Sequence, residues 1–251
     1  MPAALRRSTP NCSFVAVEQR KLLAALGSLD TLAIARVLEE FVRPERAARL
    51  RAVFAARLDA LTVVMDAPHD PHNGAAVIRS CDAFGVHRLH VIERIEPFLA
   101  SNQVARGSER WVDVRTYPEV PSAVAALAAS GHELVATHPD GDLVPGDLAK
   151  IPRLALVLGN ERLGIAPELR AACHHSVRIP MRGFAESLNV SVTAAILLQQ
   201  ASWGRPGDLS AEEQAHLYAR ALIFTVPHAP EILAAKGMKL DLPEGLLAEP
   251  A

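Results

Sequence analysis

From residue 61 onward, short apolar runs alternate with Ala-rich segments of helical spacing. Residues 61–65, 89–92, 111–115, 133–137, 154–158 and 176–179 read as strands, with 154–158 apolar throughout. Residues 75–84, 120–129, 167–173 and 190–202 read as helices between them. Gly85 and Gly131 fit helix C-terminal stops, and Pro167 fits a first helical turn. This alternation predicts an α/β fold with a mostly parallel sheet covered by helices on both faces. Ahead of it, Leu22, Leu23, Leu26 and Leu29, then Leu32, Ile34, Val37, Leu38 and Phe41 show looser helical spacing. Pro44 punctuates, and residues 45–58 form a second helical segment. A helix is expected near 210–224, with a peripheral tail from Pro227. The chain thus divides into an N-terminal extension (1–42), an α/β domain with a leading basic helix (43–205), and a C-terminal helix and tail (206–251).

Three patches place polar or glycine residues just past strand-like runs, where ligands bind in open α/β sheets. The first is Asn73-Gly-Ala-Ala-Val-Ile-Arg79. The second is Leu158-Gly-Asn-Glu-Arg-Leu-Gly164, and the third runs from Ile179-Pro-Met181 to Glu186-Ser-Leu-Asn-Val-Ser191. Each alone has an ordinary structural explanation. Gly159 and Gly164 suit a tight turn, and Ser187 or Asn189 suits a helix cap. Arg79 within an apolar helix suits an ion pair to Asp82 or Glu161. The functional alternatives are close backbone approach to a ligand and an anion clamp, which a guanidinium fork suits.

Composition narrows the classes. Half of the 251 residues are apolar and only 4% aromatic, so the core rests on Ala, Val, Leu and Ile. The net charge of −2 makes nucleic-acid binding a matter of local patches. One such patch is the 45–58 segment with Arg46, Arg49, Arg51 and Arg57, whose plainer reading is a solvated face. The three cysteines lie far apart, which argues against a disulfide framework and fits a reducing compartment. No apolar run is long enough for a membrane span, so a cytoplasmic protein is expected. The pairs His69/His72 and His174/His175 lack a metal-binding motif, and no Gly-x-Ser-x-Gly elbow is present.

Taken together the patches resemble the SPOUT class of RNA methyltransferases, most closely the TrmH-type tRNA guanosine-18 2′-O-methyltransferase branch. The strings are Pro71-His72-Asn73 with Ala76 to Arg79, Cys81 to Val86, Gly107-Ser108 before Trp111-Val112, and Ala136-Thr137. Gly159 to Ile165 and Ile179 to Val192 complete them. The match covers roughly 44–205, and more weakly the tail to about 245. The chain departs from the family in having Gly74 where Ser is usual and Glu186 where Gln is usual.

The resemblance implies a deep trefoil knot formed near 155–200, a homodimer with the site close to its interface, and S-adenosylmethionine as cofactor without metal. It assigns cofactor contacts, largely through backbone groups, to Thr137, Leu158, Gly159, Ile179, Met181 and Leu188. Arg79 is implied nearest the ribose oxygen, with Asn73, Glu161, Ser187 and Asn189 orienting it, the phosphate and the cofactor. The substrate implied is tRNA, held by Arg46, Arg49, Arg51 and Arg57, with Arg106, Arg110 and Arg115 extending that surface. A ribose 2′-hydroxyl is a very weak acid, so catalysis must stabilise a developing alkoxide and hold the reacting atoms in line. Arg79 either passes its proton to an RNA phosphate and acts as base, or stays charged and stabilises the oxyanion. Ribosomal RNA is the alternative substrate, and a non-catalytic knotted RNA-binding protein the alternative class.

Overall fold

In the computed structural model, residues 12–13, 30–105 and 107–240 are described. A six-stranded, all-parallel sheet forms the centre, in the order β5-β3-β2-β7-β6-β8. The strands are β2 (Leu61–Asp66), β3 (Arg88–Ile92), β5 (Asp113–Tyr117), β6 (Glu133–Thr137), β7 (Leu154–Leu158) and β8 (His175–Val177). A small antiparallel pair, β1 (Cys12–Ser13) with β4 (Ala100–Ser101), stands apart. The helices are α1 (Thr31–Glu39), α2 (Pro44–Ala55), α3 (Pro71–Ala83), the short α4 (Asn102–Ala105) and α5 (Val120–Ala129). They continue as α6 (Pro167–Ala171), α7 (Val190–Ser202), α8 (Ala211–Thr225) and α9 (Ala229–Ala235). No described helix is long and apolar enough to cross a membrane.

The two central strands, β2 and β7, are buried along their whole length, as strands covered on both faces must be. Alternation sorts their side chains. Val63, Met65, Leu154, Leu156 and Leu158 enter the core beneath α3 and α7. Val64, Ala155 and Val157 face the other way, toward Val120, Ala123 and Leu127 of α5 and Leu169 of α6. This is the α/β sheet with helices on both faces that the alternation predicts.

Several boundaries move. The strand expected at 111–115 begins at Asp113, because Trp111 turns away to pack between Phe54 and Phe224. Helix α3 starts at Pro71, four residues early, where Asp70 caps it by accepting from the His72 amide. The tail beyond Pro227 is not simply peripheral: Ala229 and Leu233 of α9 are buried in a second core with Ile34, Leu38, Phe54, Leu217 and Leu222. The leading helix α1 and the C-terminal helices therefore pack into one cluster. The apolar residues Leu22 to Leu29 and the chain after residue 240 lie outside the described residues.

The return from α7 to α8 is tight. A Cβ on Gly207 would sit 1.8 Å from the Ala55 carbonyl oxygen, so only glycine passes there. Asp208 then accepts from the Ala60 amide at 2.9 Å, joining this segment to the start of β2. A Ser210/Glu213 capping box opens α8.

Candidate active site

The C-terminal ends of β6, β7 and β8 meet the first turns of α3 and α7 at one edge of the sheet. There they enclose a cavity of about 490 Å³. Five of the six expected cofactor residues line it: Thr137, Gly159, Ile179, Met181 and Leu188. Leu158 does not, because alternation along β7 aims its side chain into the core with Leu154 and Leu156. A Cβ on Gly159 would lie 2.7 Å from the Gly164 carbonyl carbon, so the strand end and the following loop close against each other through bare backbone. The Thr137 hydroxyl donates to the Val157 carbonyl at 3.1 Å and is fixed within the sheet.

Four of the five expected catalytic residues, Asn73, Glu161, Ser187 and Asn189, also line the cavity. Three of them are linked directly. The Asn189 Nδ2 donates to Asn73 Oδ1 at 3.0 Å, and Asn73 Nδ2 donates to Glu161 Oε1 at 2.9 Å. Glu161 Oε2 accepts from the His69 amide at 3.2 Å, while the His69 ring shares a 2.8 Å contact with Glu96. The capping explanation for Asn189 also holds, since its Oδ1 accepts from the Ser191 amide at 2.8 Å. One side chain thus caps α7 with its oxygen and ties α7 to α3 with its nitrogen.

Two supporting residues escaped the sequence reading. Asn160 is buried, accepts from the amides of Arg162 and Leu163, and donates to the Ala67 carbonyl. Ala67 has a φ of +46°, a strained value for a non-glycine residue, so Asn160 holds the end of β2 in place. Asp66, also buried, accepts from Arg94 Nε at 2.8 Å and from the Ala166 amide at 2.6 Å. The only sequence hint was polar residues terminating apolar strands. His69 is a third omission; its amide, rather than its ring, reaches Glu161.

Arg79 behaves differently. It is exposed on α3 and does not line the cavity. Neither expected carboxylate pairs with it: Asp82 is held by Arg57 and Ser108, and Glu161 by Asn73 and His69. The cavity wall carries the carboxylates of Glu161 and Glu186 and no Lys or Arg among the described residues. Such a lining suits a ligand that is cationic and partly apolar.

The arginines expected to contact RNA divide. Arg46 and Arg49 are exposed on α2. Arg51 is held by Glu39 and lies 4.3 Å over the Tyr218 ring, and the pairing with Glu39 raises its pKa. Arg57 is not the exposed phosphate contact expected: only 1% exposed, it is paired with Asp82 and donates to the Val86 carbonyl at 3.2 Å. It lies past the end of α2, where the chain turns into the sheet, and has no face for a phosphate. Arg110 lies 5.1 Å over the Phe224 ring, and Arg115 bonds to Asp113. Arg106 lies outside the described residues.

No group of three His, Cys, Asp or Glu side chains among the described residues could hold a metal ion. Burial pushes the Cys81 thiol up to about 12 and the Cys173 thiol up to about 11, so neither is a poised nucleophile.

Residues 60–199 match the model of the SpoU rRNA Methylase family, more than half of the chain. The chain belongs to the SpoU family. It is similar to the tRNA (guanosine(18)-2′-O)-methyltransferase of Escherichia coli K12, with 37% identity over 163 residues, 64% of this chain and 70% of that protein. The crystal structure of the Aquifex aeolicus TrmH/SpoU tRNA modifying enzyme superposes with a TM-score of 0.64 at 30% identity, covering 74% of this chain and 98% of that one. An AdoMet-bound ribosomal RNA methyltransferase from Sinorhizobium meliloti gives a TM-score of 0.52 at 28% identity, covering 61% and 59%.

At Gly74, where the resemblance leads one to expect serine, a Cβ would lie 2.6 Å from Phe98 Cε2, so the phenyl ring occupies the space a larger side chain would need.

Proposed function

We propose that this protein transfers the methyl group of S-adenosylmethionine to the ribose 2′-oxygen of guanosine 18 in tRNA, acting as a homodimer in the cytoplasm. The observation that carries the reading is the Asn189–Asn73–Glu161 chain of hydrogen bonds at the mouth of a cavity with acidic walls. S-adenosylmethionine brings a methyl group already activated by its sulfonium charge. Thr137, Gly159, Ile179, Met181 and Leu188 would hold it, the aliphatic side chains against its adenosine and the peptide groups near Gly159 against its polar edge. Glu161 and Glu186, in the cavity wall, would complement its positive charge.

The remaining chemistry belongs to the protein. The methyl–sulfur bond breaks as the methyl–oxygen bond forms, and Arg79 serves the ribose 2′-hydroxyl in one of two ways: after passing a proton to an RNA phosphate it takes the hydroxyl proton as base, or as a cation it stabilises the developing 2′-alkoxide while that proton leaves to solvent. Asn73 and Asn189 fix the start of α3, and hence the direction from which Arg79 arrives. Arg79 lies outside its own cavity, and the chain segments that line that cavity carry exposed apolar side chains: Met181 in its wall, and Leu163, Phe184 and Val192 beside lining residues in sequence. A two-fold dimer that covers these side chains brings Arg79 of one protomer to the cavity of the other.

The unit 43–205 carries the chemistry in this reading, with α2 presenting Arg46 and Arg49 to RNA phosphates. The reading also includes a trefoil knot. In its support, β8 lies at the sheet edge while α7 returns to pack beside α3. Arg205, just past α7, donates to the carbonyls of Leu148, Ile151 and Pro152 in the β6–β7 connection.

The test is methyl transfer from labelled cofactor to unmodified tRNA transcripts and to ribosomal RNA, with the product nucleotide mapped. Label in the guanosine 18 ribose of tRNA is expected. Label confined to ribosomal RNA would replace the substrate, and no transfer to any RNA would end the enzymatic reading.

A further inference from the structure

The segment from Glu93 to Leu99 leaves the C-terminal end of β3 and crosses to β4 without entering the cavity. Both of its ends are fixed. The Glu93 amide donates to the Tyr117 carbonyl at 2.8 Å, and β4 is buried and paired with β1 of the N-terminal extension. Between these ends, every second side chain reaches the scaffold of the candidate active site. Arg94 donates to Asp66 at 2.8 Å, and Asp66 in turn accepts from the Ala166 amide, two residues past Gly164 of the cavity wall. Glu96 bonds to the His69 ring at 2.8 Å, and the His69 amide donates to Glu161 at 3.2 Å. Phe98 is 4% exposed and lies across the first turn of α3, its ring edge 2.6 Å from where a Cβ on Gly74 would stand. Pro97 fixes the backbone between the last two, and the Phe98 amide donates to Glu93 Oε1 at 2.7 Å.

The hydrogen-bond chain from Asn189 runs through Asn73 to Glu161, and this segment backs both of the latter. Asn73 precedes Gly74 directly, so the packing of Phe98 on Gly74 sets where the first turn of α3 stands. On the other side, the side chains of His69 and Glu96 are 46% and 43% exposed. An ion pair so exposed adds little to stability, so stability does not account for it. Its place does, because it anchors the ring of the residue whose amide holds Glu161. We propose that Glu96 and Phe98 are positioning residues for methyl transfer. Glu96 acts on Glu161 through His69, and Phe98 acts on Asn73 through Gly74, with neither touching substrate or cofactor. The assignment rests on the RNA methyltransferase reading and places two of the contacts that set the geometry of the site outside its cavity.

Glu96→Ala removes the anchor of His69, and Glu96→Gln keeps an acceptor at the same reach. Single-turnover transfer to unmodified tRNA is expected to fall roughly 10- to 100-fold in Glu96→Ala, the scale of a small misplacement near reacting atoms. The KM for S-adenosylmethionine, the KM for tRNA and the urea midpoint are expected to stay at wild-type values. Glu96→Gln should recover most of the rate. Phe98 is tested by a size exchange. Gly74→Ala sets a methyl group against the ring and should slow transfer. Adding Phe98→Leu, which makes room while keeping an apolar side chain, should make the double variant faster than Gly74→Ala alone. A Glu96→Ala rate within about twofold of wild type overturns the role of Glu96 while the enzymatic reading stands. A double variant no faster than Gly74→Ala overturns the role of Phe98. If Glu96→Ala raises the KM for tRNA at an unchanged single-turnover rate, the segment is an RNA contact and positioning is overturned. If the urea midpoint falls together with the rate in both Glu96 variants, the pair is structural and positioning is again overturned. If the wild-type protein transfers no methyl group to any RNA, the enzymatic reading fails first and the assignment falls with it.

Discussion

Asn189 and Asn73 are 116 positions apart in sequence, yet their side-chain amides share a 3.0 Å hydrogen bond that ties the first turn of α7 to the first turn of α3. Because Asn189 also caps α7, its loss has two separable effects. Asn189→Ala should cost about 1 kcal/mol of stability from the lost cap. Asn189→Ser keeps a capping oxygen but not the reach to Asn73. The serine variant should therefore recover most of the stability without recovering methyl transfer. Urea denaturation and single-turnover transfer on the two variants make the comparison. Equal activity in alanine and serine variants at wild-type level would remove the link to Asn73 from the mechanism.

Arg79→Ala is expected to abolish methyl transfer while leaving cofactor binding nearly intact, because Arg79 does not line the cofactor cavity. Arg79→Lys should recover little, since a point charge replaces a planar fork. The position of Arg79 adds a sharper test. Co-expressing Arg79→Ala with Gly159→Ala, which crowds the Gly164 backbone in the cofactor cavity and does not touch α3, gives mixed dimers. If each site takes its arginine from the other protomer, a mixed dimer holds one site with both defects and one with neither, and activity returns. If each protomer supplies its own arginine, every site carries one defect and the mixture stays inactive. Recovery is expected, read as transfer by purified, differently tagged heterodimers.

Arg46 and Arg57 were indistinguishable as members of one basic segment, and burial separates them. Arg57→Ala strips Asp82 of its buried partner and should cost about 3 kcal/mol, within the range for breaking such pairs. Arg46→Ala should change stability by less than about 0.5 kcal/mol. It should instead weaken tRNA binding and lower the slope of log affinity against log salt by about one. Filter binding across a salt series, with urea midpoints for both variants, decides this. A salt slope unchanged in Arg46→Ala would remove α2 from the RNA interface.

These contrasts mark how far the sequence could be read. The parallel sheet was legible because short continuous apolar runs and Ala-rich helices leave strong local signals, so 190–202 and 120–129 needed no correction. Asn73, Glu161, Ser187 and Asn189 were legible only jointly, since each alone also fits a turn or a cap. What stayed hidden is long-range. Nothing local to Arg57 says that Asp82 lies opposite it, and nothing near Ala67 says that Asn160 restrains it. The packing of α9 onto α1 was equally out of reach, because a short Pro- and Gly-punctuated segment becomes a helix only through the apolar surface it covers.

Three histidines are buried at or beside the sheet: His87, His90 and His132. Burial is the largest influence on each, pushing His87 down to about 4, His90 to about 3 and His132 to about 4. Nearby arginines push the same way: Arg220 and Arg57 at His87, Arg115 and Arg88 at His90, Arg153 and Arg88 at His132. In the unfolded chain each titrates near its ordinary value of about 6.5. Between these limits the unfolded state binds more protons than the folded one, so stability falls as pH falls. The neutral-histidine contribution is fully present above about pH 6.5 and is withdrawn as pH drops toward 4, by up to about 1.4 kcal/mol per pH unit for each group. His90 stacks on Tyr117 and shares a 2.9 Å hydrogen bond with its hydroxyl, so His90→Gln keeps a polar partner without the titration. Urea midpoints measured from pH 7.5 to 4.5 should fall less steeply in that variant than in the wild type. Parallel curves would show that His90 is already solvated and charged in the folded protein.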